Sequence, residues 1–440
     1  MNTVHLVSLG CAKNLVDSQY VLGSLAAAGF QPVEQAAAAT VLLVNTCGFL
    51  QAAVEEGIDE ILRLAAHKQR PGQKLVVFGC MVQRYRDELA QELPEVDLFL
   101  GVEPYATIAA EIRALLAGGT EKRLSLATTV MNSHQPRLLA SPRHRAYLKI
   151  TEGCDNRCSY CMIPAIRGPL RSRTIDDLAR EAVWLEQRGV RELSLIAQDL
   201  TAFGCDRGGH SELTALLAAL LRETTIPWIR LLYLHPQGVN NRLLELMAAE
   251  SRLLPYLDIP IQHASSRILA AMHRRYDRDF IEKMVRNIRA YMPDIGLRTT
   301  LLMGFPGEKD ADVAEVMTLL AELRFNHVGV FTYSNEEGAA SEHFPEQCSE
   351  EEKESRRDQV MAAQANISAA QQKAYIGQAL DVLVEGVSAE SDLLLEGRTV
   401  YQGPEVDGCV YINEGAATPG DIVRVRIDEA HTYDLVGGIV

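Results

Sequence analysis

Residues 146–164 read AYLKITEGCDNRCSYCMIP. An apolar run ends in a loop that carries Cys154, Cys158 and Cys161, spaced C-x3-C-x2-C. Cubane iron–sulfur clusters are ordinarily held by four thiolates, so a triplet implies an iron with an open site and chemistry at that site. Zinc is the main metal alternative, but it favours paired C-x2-C elements and four closed ligands. No local fourth cysteine or histidine follows Cys161. The run is the first of six: AYLKIT, ELSLIAQD, IRLLYLHP, LDIPIQH, LRTTLLMGF and HVGVFTYS. Helical patterns such as TIDDLAREAVWLEQRG and RDFIEKMVRNIRAYM separate them. Six β/α units predict a partial (β/α)6 version of the TIM-type barrel, whose active site lies at the carboxyl ends of the strands. The cysteine loop falls at that end. Gln198, Asp199, His235, Gln262, His263, Arg298, Tyr333 and Ser334 are expected to face the same cavity.

Upstream, residues 1–118 alternate between apolar runs (3–9, 40–46, 74–79, 96–101) and helical stretches such as SQYVLGSLAAAG and AAVEEGIDEILRLAA. This predicts a doubly wound α/β domain, with ligands beyond the carboxyl ends of its strands. Three of those runs close on a cysteine: VHLVSLGC, TVLLVNTC and KLVVFGC, ending at Cys11, Cys47 and Cys80. Gly10, Gly48 and Gly79 flank them and are expected to let the backbone turn around a bulky group. Buried structural thiols are the plain alternative. The repeated placement at strand ends favours a second ligand set. Cys205, Cys348 and Cys409 belong to neither triplet and read as incidental.

Downstream, residues 343–372 are charged and rich in Ala and Gln, a connecting helix. From 372 to 440 come short strands with Gly and Asn turns: ALDVLVEG, VYQGPEVDGCVYINE and DIVRVRIDEAHTYDLVGGIV. They predict a small antiparallel β-barrel. The expected fold is thus α/β with three domains, 1–118, 140–371 and 372–440.

The chain has 440 residues, 47 % apolar content and a net charge of −15. That length suits two to four domains. No run approaches a membrane span, and the N-terminal MNTVHLVSLG reads as a strand start, not a signal peptide. The expected location is the cytoplasm, where clustered cysteines act as ligands or redox groups more often than as disulfides. The acidic balance argues against indiscriminate nucleic-acid binding and suits a basic partner.

The C-x3-C-x2-C loop at a barrel mouth resembles the radical S-adenosylmethionine (SAM) superfamily. There three cysteines hold a [4Fe–4S] cluster and SAM chelates the open iron. Tyr160 matches that family's aromatic position and is expected near the adenosine, or is an ordinary packing residue. Arg167, Arg171 and Arg173 are expected either to bind the SAM carboxylate or an acidic substrate group, or to lie on a solvated loop. LLMGFPGE loosely resembles the superfamily's fifth-strand SAM motif, although Gly304-Phe305-Pro306-Gly307 could form a turn alone.

Together SLGCAKNLVDS, VNTCGF, FGC, EGCDNRCSYCMIPAIRGPLRSR and GFPGE resemble the methylthiotransferases over essentially the whole chain. That resemblance implies an N-terminal three-cysteine domain, a radical SAM core and a C-terminal TRAM barrel. It implies two [4Fe–4S] clusters: Cys154, Cys158 and Cys161 for the radical-generating one, and Cys11, Cys47 and Cys80 for an auxiliary one that carries the sulfur. One SAM methylates that sulfur and a second supplies the radical. A sulfur source and a reducing electron donor are implied as well.

Substrate choice divides the family between tRNA adenosines and, in the RimO branch, an aspartate of a ribosomal protein. Residues 372–440 hold twelve Asp/Glu against four Lys/Arg. An acidic barrel repels phosphate and attracts a basic protein. LDIPIQHASSRIL, SLIAQDLTAFGCD and PEVDG…YDLVGG also resemble the RimO branch. Ser266 departs from its commonest His-Ala-Ser-Asp tetrapeptide, at a position that reads as a helix cap. The expected reaction is methylthiolation of the β-carbon of an aspartate in small-subunit ribosomal protein twelve, alone or within the ribosome. The alternatives are a tRNA adenosine methylthiotransferase and a non-catalytic iron–sulfur carrier. No membrane partner is expected.

Overall fold

The computed structural model describes residues 2–66, 68, 72–118, 123–126, 131–139 and 142–440. The chain forms two compact units. One comprises Met1–Ala140, Tyr147–Asn156 and Cys161–Glu181; the other comprises Ser141–Ala146, Arg157–Tyr160 and Ala182–Val440. The expected boundary at residue 140 lies outside the described residues.

In the first unit, β-branched and leucine-rich runs form buried strands. In chain order the elements are β1 (Thr3–Ser8), α1 (Ala12–Ala27), β2 (Gln31–Pro32), β3 (Val41–Thr46), α2 (Gln51–Ala66), β4 (Lys74–Gly79), α3 (Cys80–Glu92), β5 (Leu98–Leu100), α4 (Ile108–Leu116) and β6 (Arg123–Ser125). The sheet order is β2-β1-β3-β4-β5-β6, and every pairing is parallel. The order reverses between β1 and β3, which opens a crevice at the carboxyl edge. The four expected strands are present. β2 and β6 went unread because two- and three-residue edge strands carry no apolar run. A core of Leu42, Val44, Ile61, Leu75, Val77, Met81 and Phe99 packs α2 and α3 against the sheet.

The chain continues through β7 (Arg145–Lys149), β8 (Thr151–Glu152), α5 (Ile163–Arg167), β9 (Arg171–Ser172), α6 (Ile175–Glu186), β10 (Glu192–Ile196), α7 (Cys205–Gly208), α8 (Leu213–Glu223), β11 (Trp228–Leu231), α9 (Asn241–Ala249) and β12 (Leu253–Asp258). Then follow α10 (Ser266–Ala271), α11 (Arg278–Tyr291), β13 (Gly296–Met303), α12 (Asp310–Leu323), β14 (His327–Thr332) and α13 (Glu350–Gln372). A parallel sheet of the second unit runs β14-β13-β12-β11-β10. The fourth strand starts earlier than expected. It covers LLPYLD, and Pro260, with no amide hydrogen, falls in the segment beyond the strand end.

The C-terminal strands β15 (Ala379–Val387), β16 (Leu395–Thr399), β17 (Val410–Glu414), β18 (Ile422–Ala430) and β19 (Leu435–Ile439) close into a barrel, β15-β16-β17-β19-β18. Four of its pairings are antiparallel, and β17–β19 is parallel. The stretch VYQGPEVDG is a connection between β16 and β17, as its Gly-Pro and final Gly favour. Within the second unit this barrel shares a core with the sheet: Trp228 and Leu254 pack with Leu383, Val400 and Ile422. Buried Glu192 bridges Arg230 at 2.6 Å and Arg398 of the barrel at 2.5 Å.

Candidate functional site

Cys11, Cys47 and Cys80 each follow a strand of the first sheet, on the carboxyl side of the switch between β1 and β3. Cys11 is the N-cap of α1, and Cys80 is the first residue of α3. Cys47 lies just ahead of α2, and its sulfur accepts the backbone N–H of Phe49. Helix N-termini carry a partial positive charge that favours a thiolate. Cys11 is exposed, Cys47 half-buried and Cys80 buried. Burial pushes the Cys80 thiol up to about 12, against the lowering effect of Arg167; Cys47 and Cys11 add to the rise.

The flanking glycines do more than turn. Gly10 and Gly79 have φ of +87° and +108°. A Cβ on Gly10 would stand 2.9 Å from Cys47 Cβ, and one on Gly48 would stand 2.7 Å from the Met81 backbone. The three cysteine turns are therefore packed directly on one another.

Among the described residues, no group of three or more His, Cys, Asp or Glu closes on a single metal ion. A cubane asks for something else, because its thiolates bind separate irons. Three thiols on adjacent strand ends, two at helix starts and none in a disulfide, match that donor chemistry.

Behind these cysteines lies a buried polar network that the sequence reading did not identify. Arg167 Nε donates to Cys80 Sγ at 3.2 Å. Its Nη1 reaches Glu152 at 2.9 Å and Asp17 at 3.1 Å, and its Nη2 reaches Asn14 at 2.7 Å. Lys149 bonds both carboxylates, Asp17 and Glu152. Tyr105 donates to Asp17 at 2.6 Å. Burial opposes ionisation of Glu152, but Arg167 and Lys149 overcome it and hold its pKa at about 2. Glu103 goes the other way: burial, reinforced by Glu152, pushes it up to about 7 despite Lys149 and Arg171. A lysine inside the apolar run AYLKIT was the available signal, since a buried charge requires partners.

The alternative of a solvated charged loop is corrected for Arg167 and Arg173, which are buried. Arg167 is spent on Cys80 and the carboxylates. Arg171 pairs with Glu103, and buried Arg173 pairs with Asp177 and Glu181. Each already has an internal anion.

Of the other triplet, Cys154 and Cys161 belong to the first unit and Cys158 to the second. All three are partly exposed. The Cys154 N–H is held by Gly168 O at 3.2 Å. In the second unit, Ser159 N–H bonds Met272 O, and Cys158 lies in the field of Arg274. Tyr160 packs against Ile268, Met272, Phe305 and Tyr333, and its hydroxyl accepts from Arg274 at 2.6 Å.

The other expected residues divide. Gln198 and Asp199 follow β10, and Asp199 caps the next turn by accepting Thr201 N–H. His235 follows β11; burial, then Arg274, pushes its pKa down to about 4 against Asp199. Its Nδ1 accepts the Gln237 N–H, so Nε2 carries the ring hydrogen. His263 is fully buried: Nδ1 accepts from Ser265 N–H, and Nε2 donates to Glu308 at 3.2 Å. Glu308 also accepts Gly304 N–H and pairs with Arg356. The HAS and GFPGE motifs are thus joined by one buried network. Ser265, not Ser266, is the N-cap of α10, and Ser266 Oγ accepts from Arg278 N–H. Gln262 bridges to Leu301 beyond β12. Tyr333 and Ser334 follow β14, where Tyr333 bonds Asn335 and Ser341. Arg298 does not belong with these. It is the third residue of β13, bound to Asp258 and to Asp407 of the barrel. Its charge serves the opposite end of the strand, where the barrel attaches.

Three family models match successive parts of the chain. Residues 3–101 match Uncharacterized protein family UPF0004, residues 148–320 the Radical SAM superfamily, and residues 376–440 the TRAM domain. The chain is 54 % identical to the ribosomal protein uS12 methylthiotransferase RimO of Desulfotalea psychrophila, covering 99 % of both chains. It is 47 % identical to the RimO of Anaeromyxobacter sp. strain K, over 99 % of this chain and 93 % of that one. In fold it is similar to the radical SAM methyltransferase TsrM of Kitasatospora setae, with a TM-score of 0.57, 16 % identity, and coverage of 76 % and 75 % of the two chains. By full-length similarity and by all three domains, the chain belongs to the RimO family of radical SAM methylthiotransferases.

Proposed function

We propose that this enzyme replaces a hydrogen on the β-carbon of an aspartate in ribosomal protein uS12 with a methylthio group. The observation that carries this reading is the full-length similarity to uS12 methylthiotransferases, 54 % over 438 residues in one relative. When bound, two [4Fe–4S] clusters and two molecules of SAM supply the hydrogen-abstracting radical, the sulfur and the methyl group. Cys154, Cys158 and Cys161 hold the radical-generating cluster, and Cys11, Cys47 and Cys80 hold the auxiliary one. The working division is 1–118 for the auxiliary-cluster domain, 140–371 for the radical core and 372–440 for the barrel.

The chain's own residues then hold and orient. Tyr160, steadied by Arg274, packs beside SAM. The buried His263–Glu308–Arg356 set keeps the turn after β13 in place. His235, neutral at physiological pH, faces substrate as a hydrogen-bonding group without a charge to attract the target carboxylate. The barrel supplies an acidic surface: Asp381, Glu390, Asp392, Glu405, Glu414, Asp421, Asp428 and Glu429 are exposed, against Lys373, Arg424 and Arg426. That balance suits a basic ribosomal protein better than tRNA. Among the described residues, no helix is long and apolar enough to cross a membrane; a ribosomal substrate places the reaction in the cytoplasm.

The test is anaerobic incubation of the reduced enzyme with SAM, a sulfide source and either uS12 or tRNA. Mass spectrometry should find a methylthio group on one uS12 aspartate. A modified tRNA adenosine with unmodified uS12 would overturn the assignment. Absence of 5′-deoxyadenosine would favour a non-catalytic cluster carrier.

A further inference from the structure

Arg167 lies six residues after the last cysteine of the radical SAM loop, yet its side chain reaches a cysteine of the other triplet. Within the first unit its guanidinium is buried, with 4 % of the residue exposed. Two cations, Arg167 and Lys149, face two carboxylates, Asp17 and Glu152, so these four charges cancel. The carboxylates are met by Nη1 and Nη2. That leaves Nε–H directed at Cys80 Sγ. The field of Arg167 also reaches Cys47 and Cys11.

Asn14 completes the arrangement. Its Nδ2 donates to Leu9 O at 3.1 Å and Thr46 O at 3.3 Å. Leu9 directly follows β1 and Thr46 ends β3, the strands that lead into Cys11 and Cys47. Its Oδ1 accepts Arg167 Nη2 at 2.7 Å and lies 3.8 Å from Cys80 Sγ. One amide and one guanidinium therefore connect all three cysteine turns. Hydrogen bonds and positive charge near cluster sulfurs stabilise the more negative, reduced state and raise the reduction potential.

We infer that Arg167, braced by Asn14, is a positioning residue for the auxiliary cluster: its Nε–H bonds the Cys80 thiolate, and its charge sets the cluster's reduction potential. This rests on the reading of Cys11, Cys47 and Cys80 as the auxiliary ligands. It assigns the radical SAM loop a task outside its own cluster, since α5 supplies a donor to the neighbouring one.

The experiment uses the full chain with Cys154, Cys158 and Cys161 changed to Ala, reconstituted anaerobically with iron and sulfide. This parent should hold about four irons per chain. Its potential is read by redox titration with electron paramagnetic resonance, beside Arg167→Gln and Arg167→Lys. The Gln variant should titrate at lower potential. The Lys variant keeps the charge and loses the planar Nε–H, so it should fall between Gln and parent with an altered resonance. In the otherwise unaltered enzyme, Arg167→Gln should slow methylthiolation by about 10–100-fold. If Arg167→Gln does not fold, Arg167→Lys, which still opposes Asp17 and Glu152, is read alone and must still shift. A parent that binds no iron would overturn the ligand assignment beneath the proposal. A parent with a full cluster, whose potential and resonance both folded variants reproduce, would overturn the role of Arg167 alone.

Discussion

Glu192 shows how much one buried charge decides. Burial pushes its pKa up, but Arg398 and Arg230 overcome that and hold it at about 2. An unfolded glutamate titrates near ~4.3. The folded pKa is therefore depressed, so its stabilisation is complete above the unfolded value and is lost as pH falls from about 4 to 2. Glu192→Gln leaves buried Arg230 without its anion and Arg398 with Glu385 alone, and should cost about 3 kcal/mol by chemical denaturation at neutral pH. The variant should also lose less stability than the parent between pH 4 and 2; equal acid sensitivity would contradict the pairing. The proposed division of the cysteines by task has its own test. Cys158→Ala should abolish 5′-deoxyadenosine formation, whereas Cys47→Ala should keep it and lose methylthiolation. Equal loss of both activities in both variants would refute the division of labour. At this scale the sequence was legible for the local C-x3-C-x2-C spacing and for the strand ends that carry Cys11, Cys47 and Cys80. It was not legible for the partners of Arg167, because Asn14, Asp17 and Cys80 lie 153, 150 and 87 positions away.

At the scale of elements, the long apolar strands could be read because buried parallel strands advertise themselves as continuous runs. Edge strands β2 and β6 could not, and Pro260 obscured where β12 ends. The glycines beside the cysteines were legible as turns, but their second role was not. Gly48 shows it. A Cβ there meets backbone atoms of Met81 at 2.7 Å, and backbone yields less readily than a flexible side chain. Gly48→Ala should therefore separate the turn after β3 from α3, at a cost of about 1–3 kcal/mol. The measurable consequences are a lower melting temperature and incomplete iron loading. Full iron content at unchanged stability would show that the turn can move aside.

For the whole molecule, the barrel matters in two ways. Trp228, Leu254 and Leu383 share a core, and Glu192 binds Arg398, so removing residues 372–440 would strip one face of the second unit. Deletion would confound folding with recognition. Replacing exposed Glu390, Asp392, Glu414 and Glu429 with Gln or Asn separates the two. Binding of uS12 should weaken by about tenfold and become less salt-sensitive, with the melting temperature kept. Unchanged affinity would mean that the substrate docks elsewhere.

The sequence by itself determined the three domains' character, both cysteine triplets and the acidic sign of the barrel. Each is written in the order of residues: apolar periodicity, the close spacing of one triplet, the strand-end placement of the other, and composition. Only the tertiary structure decided where the arginines of the radical SAM loop are used, and that Arg298 faces the barrel. Those choices depend on which buried anion a cation meets, and folding brings those anions from positions far apart in the chain.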